Sequence, residues 1–229
     1  MEQHTIKTNL PPLMATGGDV ELRAIGNTVT FQRNSLIYSP GDSTDALYLI
    51  SSGDVRLSRF SPDGRELTLD HYGEGEVFGE AGLLSGMPGE AQRECQAFAL
   101  SDVSALRVDR HVLMGAIAGN PALGLWFMQL QDSRQTRMEK RMETLLFKSA
   151  SGKVAQMLLD LADQYGLPDP EGILLDCLIT HQEIGNFIAT TRETVSYTFI
   201  DFREQGLITT RQRKTVIRDR DGLEAAACC

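Results

Sequence analysis

The feature that most constrains this chain is a long stretch without a helix breaker. Asn120-Pro121 is a strong helix start, with asparagine as the cap and proline at the first helical position. After Gly124 neither glycine nor proline intervenes before about Lys148. The stretch predicts a helix of about 28 residues, or ~42 Å at ~1.5 Å per residue. Its apolar positions Leu123, Phe127, Leu130, Met138, Met142 and Leu145 stay near one stripe, interrupted by Arg134. Such a stripe suits either a core helix or a paired coiled coil. The length favours pairing of two copies, through Leu123, Phe127, Leu130, Met138 and Met142.

The helix separates two textures. From about Thr28 to Val108 short apolar runs (TVTFQ, LYLISS, DVRLSRF, ELTLDHY, FALSDVSALRV) alternate with turn signals such as Pro40-Gly41-Asp42, Gly53-Asp54 and Ser61-Pro62-Asp63-Gly64. That spacing predicts a β-barrel or sandwich. After Ser151-Gly152 the chain reads as a helix ending at Gly166, a loop LPDPEG, a short strand ILLDCLI and two short helices. The expected fold class is α+β. The predicted organisation is a loose segment 1–20, a β domain 21–119, a dimerisation helix 120–150, a helical domain 151–222 and a tail 223–229.

The two short helices carry the clearest local signal. Thr180 has Glu183 three residues on, and Thr190 has Glu193 three residues on. Both match a capping box, in which hydroxyl and carboxylate satisfy free backbone N–H groups. Gly206 stands where a helix end favours a left-handed residue. LITTRQRKTVIRD then places a basic turn between apolar strands, so the segment reads as a winged helix-turn-helix. On the second helix Val195, Phe199 and Phe202 should be buried. Arg192, Glu193, Ser196 and Tyr197 share the other side. Arginine can fork onto guanine and glutamate can accept from cytosine N4, whereas Arg211, Arg213 and Lys214 suit phosphates. Glu193 is equally readable as a capping residue and Arg192 as a solvated surface charge.

Charge is distributed unevenly. The chain holds 22 basic and 31 acidic residues, a net −9. Residues 180–229 hold seven of each, so the acid lies upstream of the helix-turn-helix. An acidic protein can still bind DNA through a local patch. No apolar run approaches the ~18 residues of a membrane span, and no export signal is visible, so the expected location is the cytoplasm. No P-loop, catalytic triad or paired acid–base motif argues for an enzyme. The four histidines lack metal-ligand spacing, and no metal site is expected.

Residues 25–218 resemble the Crp/Fnr family of bacterial transcription regulators. The resemblance rests on Tyr38-Ser39-Pro40-Gly41-Asp42, Leu47–Gly53, Gly75-Glu76-Val77-Phe78-Gly79-Glu80, Gln182-Glu183-Ile184-Gly185 and Arg192-Glu193-Thr194-Val195. It implies an N-terminal cyclic-nucleotide-binding-type β-barrel (jelly roll), a long dimerisation helix and a C-terminal winged helix-turn-helix. It also implies a homodimer on palindromic promoter DNA, working with RNA polymerase and usually activating. Arg192 and Glu193 would read bases, Tyr197 stands where the cyclic-AMP receptor has a second base-reading arginine, and Thr180, His181, Gln182, Thr191 and Thr194 would touch phosphates. His181 replaces an arginine, so its contact should weaken as pH rises past the histidine pKa.

The resemblance also frames an effector pocket of Gly79, Glu80, Arg93, Glu94, Arg134, Met138 and Glu139. Cyclic-AMP-binding relatives have serine or threonine where this chain has Glu94, and Thr-Ser where it has Met138-Glu139. A carboxylate ~4 Å from a phosphate costs ~4 kcal/mol at an effective dielectric of ~20. The expectation is therefore a regulator with no cofactor, independent of cyclic AMP. The alternatives are another anion held by Arg93, cyclic AMP itself, or an iron–sulfur cluster. Cys228-Cys229 resembles the C-terminal cysteines of one oxygen-sensing branch. Yet adjacent cysteines rarely chelate one cluster, and Cys95 and Cys177 read better as small apolar fillers.

Overall fold

The computed structural model describes residues 18–83, 91–177, 179–212 and 214–228, with the Gln164 side chain set aside. Arg213 and Cys229 therefore lie outside the described residues. Two units divide the described residues, one drawn from residues 18–61 and 68–136, the other from 62–67 and 137 onward.

Alternating apolar residues build the first unit. Its strands are β1 (Asn27–Phe31), β2 (Leu36–Tyr38), β3 (Ala46–Ser52), β4 (Val55–Phe60), β5 (Glu66–Tyr72), β6 (Val77–Phe78), β7 (Gln96–Ala99) and β8 (Val103–Asp109). They form two four-stranded sheets, ordered β1-β8-β3-β6 and β2-β7-β4-β5. This is the expected jelly-roll arrangement. Tyr48, Ile50, Phe78, Val103 and Ala105 of one sheet meet Tyr38, Val55, Tyr72, Ala97 and Ala99 of the other in a common core. Leu47 and Leu49 point the opposite way, into a second core. Strand β3 is thus covered on both faces, which explains its unbroken apolar run. Gly53 turns β3 into β4 at φ +91°; a side chain there would meet the Asp102 carbonyl at 2.3 Å.

The second core holds the helices α1 (Gly18–Ile25), α2 (Arg110–Gly119) and the first half of α3 (Pro121–Phe147). Here one expectation is corrected. Leu123, Phe127 and Leu130 do not form a seam for a second copy. They are 1 %, 2 % and 5 % exposed and pack with Leu22, Leu47, Leu113 and Trp126. Met138 and Met142 are exposed. The stripe read from the sequence therefore joins two different faces across the eight-residue step at Arg134. No single helix among the described residues is long and apolar enough to cross a membrane.

The second unit contains α4 (Ala150–Tyr165), capped by the Ser149 hydroxyl, which accepts from the Gly152 amide. Strands β9 (Gly166–Asp169), β10 (Gly172–Leu175), β11 (Ile208–Arg211) and β12 (Lys214–Ile217) form a sheet ordered β11-β12-β10-β9. The stretch LPDPEG, expected as a loop, thus supplies a strand and its turn. Helices α5 (His181–Phe187) and α6 (Arg192–Glu204) lie between the two hairpins in sequence, and α7 (Arg220–Ala227) ends the chain. The segment 223–229 is accordingly not a tail over its described length. Asp219 caps α7, and Leu223 and Ala227 are buried with α4 in the core of this unit.

Candidate nucleic-acid interface and effector pocket

The geometry of α5 and α6 follows from their caps. The Thr180 hydroxyl accepts from the Glu183 amide at 3.2 Å, and Glu183 Oε2 accepts from the Thr180 amide at 2.7 Å, a complete capping box. The second helix departs from expectation. Its cap is Thr191, not Thr190, and the hydroxyl accepts from the Thr194 amide at 3.2 Å. The Glu193 carboxylate is left out of the cap and stands exposed beside Arg192. Close approach of the two helices requires Gly185, where a side chain would meet the Thr190 carbonyl at 2.9 Å. Val195, Phe199 and Phe202 are buried, as the period predicts.

Arg192, Glu193 and Tyr197 are exposed on the opposite side of α6. Ser196 is half-buried, and its hydroxyl is already engaged. It donates to the Arg192 carbonyl at 2.9 Å and lies 2.8 Å from His181 Nδ1. A hydroxyl has one proton to give, so the network assigns the ring proton to Nδ1 and leaves Nε2 an acceptor in the neutral ring. The His181 ring is tilted against Phe199, centroids 4.5 Å apart. Burial pushes its pKa down, and the charges of Arg203 and Arg192 push it further. Near neutral pH this disfavours the charged ring that the expected phosphate contact would use, and the bond to Ser196 couples α5 to α6. Thr180, Gln182, Thr191 and Thr194 do cluster at the N-terminal turns of the two helices, where free N–H groups favour phosphates.

The hairpin β11–β12 turns at Gln212, φ +49°, with Arg211 opposite Lys214. Its charge is smaller than its sequence suggests. Arg211 is paired with Asp169 and Lys214 with Asp176. These acids lie on and just beyond the neighbouring hairpin, a juxtaposition invisible in local sequence. The reading of Arg213 falls outside the described residues. One residue on the α6 face was passed over altogether: Ile200, 43 % exposed. Its spacing of three from Tyr197 and four from Ser196 would have found it.

In the first unit the structure brings Gly79, Glu80, Arg93 and Arg134 together. Glu80 and Arg134 form a buried ion pair, with Gln131 Nε2 3.5 Å from the carboxylate. Arg134 also donates to the Val77 carbonyl and lies 5.1 Å from the Tyr72 ring centre. Arg93 is 5 % exposed, donates to the Gly79 and Ala46 carbonyls, and stacks 4.3 Å from the Tyr38 ring centre. Its Nε is buried without an acceptor among the described residues. Glu94 does not belong to this group. Its side chain is 80 % exposed and pairs with Arg59. Consecutive residues in extended chain face opposite ways, so placing Arg93 inside turns Glu94 out. Met138 and Glu139 are exposed further along α3. Of the cysteines, Cys177 is buried and its thiol pushed up to about 11 by burial, Cys95 is half-buried and also raised, and Cys228 is exposed.

Comparison with known families agrees with both halves of this geometry. Residues 28–120 match the cyclic nucleotide-binding domain, and residues 152–226 match the Crp-like helix-turn-helix domain. A CRP-like cAMP-activated global transcriptional regulator of Mycobacterium tuberculosis is 30% identical over 199 residues, 87% of each chain. The chain belongs to the Crp/Fnr family of transcription regulators. The global nitrogen regulator of Synechococcus elongatus is 32% identical over 187 residues, 82% of this chain and 83% of that one. A solved Crp/Fnr structure from Thermus thermophilus superposes with a TM-score of 0.70 at 25% identity, covering 89% of this chain and 99% of the other. In Crp/Fnr terms α5 and α6 are the DNA-binding helix-turn-helix, and the jelly roll is the cyclic-nucleotide-type domain.

Proposed function

We propose that this regulator acts as a homodimer on palindromic promoter DNA in the cytoplasm, activating with RNA polymerase, and that it does so without cyclic AMP. The observation that carries the DNA reading is the exposed Arg192–Glu193 pair, released from capping by Thr191. Two such faces related by a two-fold axis read two half-sites. Pairing of the protomers is supported by a second stripe on α3. Met128, Gln135 and Met142 recur every seven residues, as do Gln131, Met138 and Leu145. Met128, Met138 and Met142 are 70 %, 60 % and 52 % exposed in the protomer, and the heptad spacing is that of a coiled-coil seam.

Independence from cyclic AMP rests on different ground from the one the sequence offered. The outward Glu94 removes the repulsion. What remains is the absence of the hydroxyls that hold phosphate and adenine in cyclic-AMP-binding relatives, and the commitment of both terminal nitrogens of Arg93 to backbone carbonyls. One observation favours a second reading, a small anionic effector. Arg93 is a buried cation with no carboxylate partner among the described residues, and its Nε–H lacks an acceptor. An iron–sulfur switch has no such support, because Cys95 and Cys177 sit where burial disfavours the thiolate.

The test is selection from a random-site DNA library by the purified protein, with and without cyclic AMP. A palindrome recovered equally in both arms is the expected result. Recovery only with cyclic AMP would overturn the ligand independence, and recovery of no sequence would overturn the DNA reading.

A further inference from the structure

Helix α6 exposes one aliphatic side chain, Ile200, on a face that also carries Arg192, Glu193, Ser196 and the aromatic Tyr197. At about 100° per residue, Arg192, Ser196, Glu193 and Tyr197 span an arc of about 140°. Ile200 falls at about 80° on that arc, near its middle and roughly opposite Phe202. Phe202 is 2 % exposed and Ile200 is 43 % exposed, so Ile200 contributes little to the core of its own unit. Helix propensity does not call for it either, since β-branched residues are poorer helix formers than leucine, lysine or glutamine. A single surface apolar residue is ordinary on a random surface. This one shares the arc of Arg192, Glu193, Ser196 and Tyr197 and lies three residues beyond Tyr197 along the helix.

An isoleucine in the major groove has no hydrogen bond to offer. Against a polar base edge it would strip water from donors and acceptors without replacing it. The apolar feature that the four bases present in the major groove is the C5-methyl of thymine. We infer that Ile200 is a specificity residue that selects a thymine in each half-site by contact with its methyl group. The position follows from the helix. Ile200 lies eight residues from Arg192, about 12 Å along the axis, or roughly three to four base-pair steps at ~3.4 Å each. The thymine should therefore lie about that distance from the base pair contacted by Arg192. Tyr197, 73 % exposed, flanks it on the same arc.

The inference rests on the DNA-reading role proposed above, and the test separates the two. The full-length protein is titrated, at one fixed salt concentration, against its selected palindrome and against duplexes in which each thymine in turn is replaced by deoxyuridine. That change removes only the methyl. A methyl contact of ordinary hydrophobic strength predicts a loss of about fourfold per half-site, about fifteenfold when both are changed. The loss should occur at one position, and Ile200→Ala should bind the thymine and deoxyuridine sites equally. A wild-type protein insensitive to deoxyuridine everywhere overturns the inference while leaving DNA reading intact. So does a methyl effect that persists in Ile200→Ala. Failure to select any palindrome would instead remove the reading on which the inference stands.

Discussion

Replacing Phe127 by alanine distinguishes the two faces of α3. Phe127 is 2 % exposed, and its ring meets Trp126 edge-on at 4.9 Å between centroids. Truncation of such a buried aromatic costs about 3–5 kcal/mol. For a domain of this size that is a fall in melting temperature of roughly 10–20 °C. Trp126 is the single tryptophan of the chain, so its fluorescence reports this unit directly. The paired perturbation is Met138→Lys with Met142→Lys. These side chains are more than half exposed in the protomer, so the Trp126 transition should fall only by the concentration-dependent stabilisation that pairing supplies. Covering what remains exposed of each methionine is worth about 1 kcal/mol, four such side chains meet in a dimer, and their loss weakens pairing by about three decades in Kd. Thermal unfolding followed at Trp126, together with sedimentation equilibrium, measures both effects. A Phe127→Ala protein that dissociates with an unchanged melting temperature would refute the assignment of faces, as would a double-lysine variant that remains dimeric.

Three further outcomes are expected. Arg192→Ala should cost about 1–3 kcal/mol of specific binding and relax preference at one base of the half-site; equal loss on every sequence in a binding-site selection would make Arg192 a phosphate contact. Asp169→Asn releases Arg211 toward the backbone, so the slope of log affinity against log salt should steepen by about one unit per protomer; an unchanged slope would mean that Arg211 never reaches DNA. His181 has a depressed pKa in the fold, so the stability it confers is present above its ordinary value of ~6.5 and is lost as pH falls below it. Urea midpoints measured at pH 7.5 and 5.5 should drop with acid in the wild type and drop less in His181→Gln, and an equal drop would assign the effect to another group.

What the sequence made legible was local. The β3 run is apolar at consecutive positions because both of its faces are covered, and the Thr180–Glu183 capping box lies within four residues. Which side of α3 faces the core was not legible, because Phe127 and Met128 differ by only one residue and both start a plausible stripe. The choice is made by α1 and β3, far away in the chain, together with the adjacent α2. The pairing of Arg211 with Asp169 was hidden for the same reason: the two are 42 residues apart. Glu94 was legible in principle, since an inward Arg93 implies an outward neighbour, but the resemblance to cyclic-AMP binders drew both residues inward. Helix α7 escaped notice because eight residues bearing one leucine give too little periodicity to read.

The cap of α6 has a consequence for how such a protein can change. Folding of the helix is entrusted to Thr191 and Thr194, and its docking to Val195, Phe199 and Phe202. Arg192, Glu193, Tyr197 and Ile200 are excused from both duties. Substitutions at those four positions can accumulate without taxing the stability of the domain. A duplicated copy of this chain can therefore drift toward new promoters through folded intermediates, so that its targets are far easier to rewrite than its architecture.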